Sequence, residues 1–206
     1  MALAAVLALA GCGTDSPPNR APSPASASAT GAAPPTTAAP TASSTPVYKP
    51  ATANGPAQNV PVPVLPPKAK EFSKAGLEAF ATYWYSTLGY AFETGNADPM
   101  MKISDAGCET CTSMKNVVIP WHSEGRWIVG GQMFVLSSES SFVEQPDHSY
   151  QAITEVRQQQ VKFFRADKSL AKNMGVTKAV ADIVVAIHDG EQWRALTVEH
   201  LAGSSK

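Results

Sequence analysis

Residues 73–95 have the sequence SKAGLEAFATYWYSTLGYAFETG, and this stretch decides the fold. Ser73 is a good N-cap because its hydroxyl can accept a backbone N–H, and Gly95 is a typical residue just past a helix end. Between them, apolar side chains recur at spacings of three and four, namely Leu77, Phe80, Ala81, Trp84, Leu88, Ala91 and Phe92. This pattern predicts one long helix with an apolar face in the core.

Two further helices are predicted after it. Asp98-Pro99 is the N-cap and N1 pair of a short helix that runs through Ile103. A third helix is predicted from about Glu109 to Ile119 or His122, where Pro120 should kink or end it. The first half of the domain is therefore expected to be helical.

After Gly125 the apolar period changes from about 3.6 to about 2, with β-branched and aromatic enrichment. Four strands fit this pattern, in residues 127–136, 153–164, 176–187 and 193–198, with a bulge or bend in the first at Gly130-Gly131. Asp189-Gly190 predicts a hairpin, so strands three and four should be antiparallel neighbours. The sequence thus predicts an α+β fold in residues 68–206, with three N-terminal helices packed on a curved four-stranded antiparallel sheet.

The segment before this domain has a different composition. Residues 12–67 are rich in Pro, Ala, Ser and Thr, and they contain most of the 17 prolines of the chain. Such a composition buries too little apolar surface to offset the entropy of ordering. We therefore expect a disordered tether.

Leu9-Ala10-Gly11-Cys12 closes a short apolar run and resembles the lipobox of bacterial lipoproteins. The interpretation is a signal peptide in residues 1–11 and a lipidated, palmitate-bearing Cys12 that anchors the chain to the extracytoplasmic face of the cell membrane. The run is far shorter than the ~20 residues of a spanning helix. No Lys or Arg precedes it, so we expect the true start to lie upstream. The alternative is an Ala-rich N-terminus with a chance cysteine.

Charge and motifs exclude several classes of function. The formal net charge is −1, without a basic face, which makes nucleic acid an improbable partner. Gly-x-Ser-x-Gly and phosphate-loop patterns are absent, so neither a serine-hydrolase elbow nor a P-loop nucleotide site is predicted. No cofactor is predicted.

With Cys12 lipidated, Cys108 and Cys111 form an even pair in an oxidising compartment, and we predict a disulfide between them. A redox site at the start of the third helix is the sharper alternative. Zinc is less favoured, because the nearest histidine is His122 and no second cysteine pair completes four ligands. No metal is predicted.

The opening helix, with Gly76-Leu77-Glu78-Ala79-Phe80, Tyr83-Trp84 and residues 90–96, resembles that of the nuclear transport factor 2-like or SnoaL-like superfamily. The Pro-rich tether, this helix, Cys108-x-x-Cys111 and the strand of residues 127–131 together resemble a family of uncharacterised actinobacterial lipoproteins. The first resemblance implies a cone-like fold with a cavity between helices and sheet, where superfamily enzymes use a buried Asp or His as base.

Asp182 is the candidate base, because it lies among Val180, Ile183 and Val184, where an ionised group is costly unless it is paired. The alternative places it on an outward strand face or pairs it with Arg194 across the hairpin. Two further sets of residues are considered beside it. Tyr83, Tyr85 and Tyr90 are candidate donors or core residues, and His122, His148, His188 and His200 are assigned surface or capping roles.

Three functions remain open from the sequence. The favoured one is a non-catalytic module that binds an envelope protein, a wall polymer or a small apolar ligand. The second is a SnoaL-like enzyme that performs proton transfer or hydration with Asp182 as base. The third is a thiol-disulfide role of Cys108 and Cys111. An apolar sheet face would favour a homodimer.

Overall fold

The computed structural model describes residues 46–201, and the signal peptide, Cys12 and most of the predicted tether lie outside this range. A short 3-10 helix, Pro67–Lys70, precedes the three α-helices. These are α1 (Lys74–Thr94), α2 (Asp98–Lys102) and α3 (Glu109–Trp121). The strands are β1 (Trp127–Val129), β2 (Met133–Glu139), β3 (Tyr150–Gln158), β4 (Lys162–Phe164), β5 (Leu170–Asn173), β6 (Val180–His188) and β7 (Trp193–His200).

Helix α1 has the two ends that its sequence predicts. The Ser73 hydroxyl accepts the backbone N–H of Gly76 at 3.0 Å. At the other end, Gly95 takes the left-handed conformation with φ 76° and donates its N–H to the Ala91 carbonyl. The apolar face is buried, and each fully buried large side chain contributes about 1.5–3 kcal/mol. α1 is therefore the centre of the core.

The prediction of one curved four-stranded sheet is wrong, because the strands form two antiparallel sheets ordered β1-β4-β5 and β2-β3-β6-β7. Gly130 and Gly131 break the first predicted strand rather than bend it. Both take left-handed conformations, with φ 83° and 86°, and the chain passes there from one sheet to the other. A second break divides the predicted strand of residues 153–164 into β3 and β4, and β5 has no counterpart in the prediction.

The four-stranded sheet has one buried and one open face. Along β3, Ala152 and Thr154 are fully buried, whereas Ile153 between them is 40% exposed. The register pairs Thr154 with Asp182 of β6, and Asp182 with His200 of β7. The side chains of these three residues therefore belong to the buried face, towards α1. The predicted hairpin between the last two strands is confirmed as β6-β7.

The link from α2 to α3 is fixed to the edge of the sheet. Asp105 donates its backbone N–H to the carbonyl of Ala195 in β7 at 2.7 Å. Cys108 then caps α3 and forms the predicted disulfide with Cys111, with the two Cα atoms 5.3 Å apart. α2 begins at Asp98, one residue before the predicted N1 position. The start of α3 is thus held by the hydrogen bond of Asp105 to β7 and by the Cys108–Cys111 disulfide.

Residues 46–66, called the arm from here on, were assigned by composition to the tether, yet they contact the domain. Trp127 donates its indole N–H to the Thr52 carbonyl at 2.8 Å, and the Tyr83 hydroxyl donates to the Pro63 carbonyl at 3.3 Å. Prolines cannot donate backbone hydrogen bonds, so the arm is held mainly through its carbonyl groups and side chains. None of the helices within residues 46–201 is long and apolar enough to cross a membrane.

Candidate functional site

The candidate site is a cavity of about 240 Å³ between α1, α3 and the buried face of the four-stranded sheet. Most of its wall is apolar, and its polar groups come mainly from β6, β7 and the segment before β6. A cavity of this kind is the expected place for a small ligand. The lining residues are Trp84, Tyr85, Leu88, Thr110, Met114, Met133, Val156, Gln158, Thr177, Lys178, Val180, Asp182, Val198 and His200.

Asp182 is the centre of the polar end. One of its carboxylate oxygens, Oδ2, accepts the hydroxyl proton of Tyr85 at 2.6 Å, and the other, Oδ1, lies 3.0 Å from Nδ1 of His200. The Asp182 side chain is only 15% exposed, Tyr85 is buried, and His200 stands half in solvent. Hydrogen bonds on both oxygens offset the cost of burying the carboxylate among valines.

Tyr85 stays protonated in this arrangement. Burial of the ring, followed by the negative charge of Asp182 and its hydrogen bond, raises the pKa of Tyr85 far above its usual range. The phenol therefore remains a hydrogen-bond donor at every physiological pH. Its role is to fix the carboxylate rather than to exchange a proton.

His200 has one ring nitrogen free for a ligand. A carboxylate only accepts hydrogen bonds, so Nδ1 of His200 must donate to Asp182. In the neutral imidazole, this leaves Nε2 as an acceptor. The pair thus presents a histidine of fixed tautomer and a carboxylate with remaining lone pairs to the same cavity.

The disulfide lies beside this cavity and not inside it. Cys108 and Cys111 are both 0% exposed, whereas Thr110 between them lines the cavity and Met114 continues the wall one turn later. Burial of both sulfurs disfavours the redox alternative, because thiol exchange requires access. Within residues 46–201, no group of three His, Cys, Asp or Glu side chains could hold a metal ion.

The structure separates the candidate tyrosines and corrects the alternative placement of Asp182. The Tyr85 hydroxyl donates a hydrogen bond to Asp182, whereas the Tyr83 hydroxyl donates to the Pro63 carbonyl of the arm. The alternative that paired Asp182 with Arg194 is wrong, because Arg194 lies 3.6 Å from Asp189 instead. The outward-face alternative fails as well, since Asp182 lines the cavity.

Of the four histidines, His200 is the residue of the candidate site that sequence reasoning missed. Its partner could only be found from the β6-β7 register, which places it directly opposite Asp182. His122 bonds the Phe92 carbonyl, His148 bonds Glu144 and His188 bonds the Lys70 carbonyl. Those three contacts are local or tie loops together, in keeping with surface or capping roles.

Comparison with known proteins gives one family and several remote structures, three of which are described below. A family described as "Family of unknown function (DUF6318)" matches residues 46–199. No curated protein matches the chain. The intermembrane space region of the chloroplast protein ARC6 has 11% identity and a TM-score of 0.43, with 65% of this chain and 99% of that chain covered.

Two other solved structures are also similar at low identity. Aln2 from a Streptomyces species has 10% identity and a TM-score of 0.32, with 58% of this chain and 87% of that chain covered. Bd1075 of Bdellovibrio bacteriovorus has 10% identity and a TM-score of 0.31, with 62% of this chain and 41% of that chain covered. At such TM-scores no residue role can be transferred from these proteins.

Proposed function

Because the chain belongs to the family of unknown function DUF6318, we propose its function from the geometry of its own cavity. The proposal is a non-catalytic module that binds a small, largely apolar molecule with a hydroxyl group or another neutral donor at one end. The observation that carries it is the apolar cavity of about 240 Å³ with Asp182 and His200 at its polar end. The walls supply affinity and the polar end orients the ligand.

The energy available to such a ligand is modest. Burial of about 200 Å² of apolar surface is worth about 5 kcal/mol before the costs of immobilisation are subtracted. A hydroxyl can donate to Nε2 of His200 or to a lone pair of Asp182. A ligand without a polar group would leave Nε2 of His200 without a partner from the ligand, which penalises it.

The cellular setting of the module is proposed from sequence. We propose a membrane-anchored lipoprotein on the extracytoplasmic face, held through lipidated Cys12, with envelope proteins or wall polymer as further partners. Leu9-Ala10-Gly11-Cys12 and the Pro-rich composition of the tether support this setting. Kinship with actinobacterial lipoproteins and with the nuclear transport factor 2-like superfamily is likewise a proposal, supported by the motifs of α1 and of residues 108–131.

The test is native mass spectrometry of the full chain purified from its own envelope. We expect a reproducible small-mass adduct on the wild type. Met114→Trp should abolish it by filling the cavity, since Met114 lines the wall. The matched control is Val117→Trp on the same helix, where the side chain is 53% exposed. An adduct that is absent from the wild type, or retained in Met114→Trp, contradicts the proposal.

A second candidate function is an enzyme that moves a proton within the same cavity. The contact of Tyr85 and His200 with Asp182 favours it, because a histidine oriented by a carboxylate is a common general base. Once the adduct is identified, turnover of that molecule separates the two functions. Loss of turnover in Asp182→Asn with binding retained indicates an enzyme, whereas unchanged recovery of the molecule indicates a binding module.

A homodimer is a separate proposal about the open face of the sheet. Phe134, Leu136 and Ile153 on that face are 46%, 51% and 40% exposed. Burial of these side chains against a second copy would remove them from water.

A further inference from the structure

Glu93 is a buried carboxylate with two cavities beside it. It lies in the last turn of α1, and only 7% of it is exposed. The cavities measure about 360 Å³ and 200 Å³, and both are lined by Glu93, Tyr48 and Gln132. They are separate from the Asp182 cavity, with which only the larger one shares a residue, Met133.

Both oxygens of Glu93 accept hydrogen bonds from neutral donors. The Tyr48 hydroxyl donates to Oε1, and the Gln132 amide donates to Oε2 at 2.9 Å. Two donors on the two oxygens are the pattern of an ionised carboxylate. Burial, and then the hydrogen bond to Glu93, raises the pKa of Tyr48 to about 12, so this phenol remains a donor.

What this carboxylate lacks is a positive charge. No Lys, Arg or His lines either cavity, and within residues 46–201 Glu93 takes part in no salt bridge. The last turn of α1 also contains no basic residue. A helix C-terminus carries a partial negative charge, so the helix adds to the unfavourable field at Glu93 instead of relieving it. Buried charges are normally paired, and here the partner is missing.

The walls around Glu93 suit an organic cation. The larger cavity is lined by Tyr48, Tyr90 and Phe134. The Arg157 guanidinium lies 5.8 Å from the centroid of the Phe134 ring, so the aromatic wall offered to a ligand is that of Tyr48 and Tyr90. Aromatic faces attract ammonium groups, and methylated ammonium groups above all, because these shed water easily. Two prolines of the arm, Pro61 and Pro63, also line this cavity.

We propose that Glu93, Tyr48 and the surrounding rings form a binding site for a small organic cation with an ammonium group. The site is completed by the arm, so the segment next to the predicted tether supplies one of its walls. The cation provides the counter-charge that the chain itself does not place beside Glu93.

The test compares choline with its neutral carbon isostere, 3,3-dimethylbutan-1-ol, on the purified full chain. Isothermal titration and the side-chain amide signal of Gln132 in NMR spectra report binding. We expect choline to saturate with a dissociation constant of about 1 mM, and to bind at least about tenfold more tightly than the isostere. Equal affinities, or no saturation by choline up to about 50 mM, would overturn the proposal.

Two variants locate the effect. Glu93→Gln keeps the shape and removes the charge, so it should reduce choline affinity about tenfold and leave the isostere unchanged. Asp182→Asn removes a carboxylate from the other cavity and should leave choline affinity unchanged. The assignment to Glu93 is refuted if Glu93→Gln binds choline as tightly as the wild type, or if Asp182→Asn loses choline binding. The wild-type comparison stands by itself if a variant fails to fold.

Discussion

Replacement of Tyr85 by phenylalanine tests the polar end of the Asp182 cavity most directly. The change removes one hydroxyl, which donates to Asp182 Oδ2 at 2.6 Å, and leaves the buried ring in place. Because Asp182 is only 15% exposed, water replaces the lost donor poorly. A hydrogen bond to a charged group contributes about 1.5–3 kcal/mol, and we expect the free energy of unfolding to fall by that amount.

The assay is urea denaturation at neutral pH, supported by thermal melting. For a domain of this size the expected loss lowers the melting temperature by about 3–12 °C. Tyr83→Phe is the matched control, because it makes the same change two residues away, where the hydroxyl donates to the Pro63 carbonyl at 3.3 Å. That neutral, half-exposed bond should be worth about 0.5–1 kcal/mol. A Tyr85→Phe loss no larger than the Tyr83→Phe loss would falsify the argument.

The same variant has a pH signature. The pKa of Tyr85 is raised in the folded protein above its ordinary value of 10.0, by burial and by Asp182. As the pH rises past that value, the unfolded chain releases this proton and the folded chain does not. The stabilisation by Tyr85 is therefore fully present below about pH 10 and is lost progressively above it. The difference in free energy of unfolding between wild type and Tyr85→Phe should therefore narrow between about pH 10 and 11. A difference that stays constant across that window contradicts the raised pKa of Tyr85.

Three further predictions concern the frame and the surface. Gly130→Ala should lower the free energy of unfolding by at least about 3 kcal/mol in urea denaturation, because φ is 83° and a Cβ there would lie 1.9 Å from a backbone carbonyl oxygen. Gly190→Ala is the control: φ is 99° but the space around it is open, so the loss should be about 1 kcal/mol. Replacing both Cys108 and Cys111 by serine should lower the free energy of unfolding by about 2 kcal/mol or less, because the loop closed by the disulfide is short. Reduction of the disulfide in the wild type should give the same loss. If the open sheet face joins two copies, Phe134→Lys should convert a dimer to a monomer in light-scattering chromatography, and a mass that does not change with this substitution argues against that interface.

Local sequence signals predicted those parts of the fold that depend on local physics. Ser73 and Gly95 fix the ends of α1 because a cap and a left-handed residue act within one turn. Asp189-Gly190 fixes the β6-β7 hairpin for the same reason. The Cys108–Cys111 disulfide was predictable from the spacing of the two cysteines together with the expected oxidising compartment.

The division into two sheets could not be predicted in this way. Gly130 and Gly131 favour a bulge and a chain reversal equally well, because both need positive φ. The choice depends on Gln160, whose carbonyl occupies the space above Gly130, and that residue is 30 positions further along the chain. Likewise, the composition of the arm gives no sign that Tyr48 reaches Glu93, since the contact depends on one aromatic side chain in a Pro-rich segment.

The two carboxylates of the two sites differ in one respect that decides what each can bind. Each receives a tyrosine hydroxyl, Asp182 from Tyr85 and Glu93 from Tyr48. The Asp182 cavity is also lined by His200 and by Lys178, so the chain itself places a cation in the wall of that cavity. Glu93 has only an amide, which carries no charge.

A neutral ligand therefore suits the Asp182 cavity, whereas a cation suits the cavities at Glu93. The two cavities are lined by different residues of α1: Trp84, Tyr85 and Leu88 line the first, and Ser86, Gly89, Tyr90 and Glu93 line the larger of the two at Glu93. If this difference in charge is the cause, raising the ionic strength should weaken choline binding and leave the neutral adduct of the Asp182 cavity in place. Equal salt sensitivity of both ligands would mean that charge does not distinguish the sites.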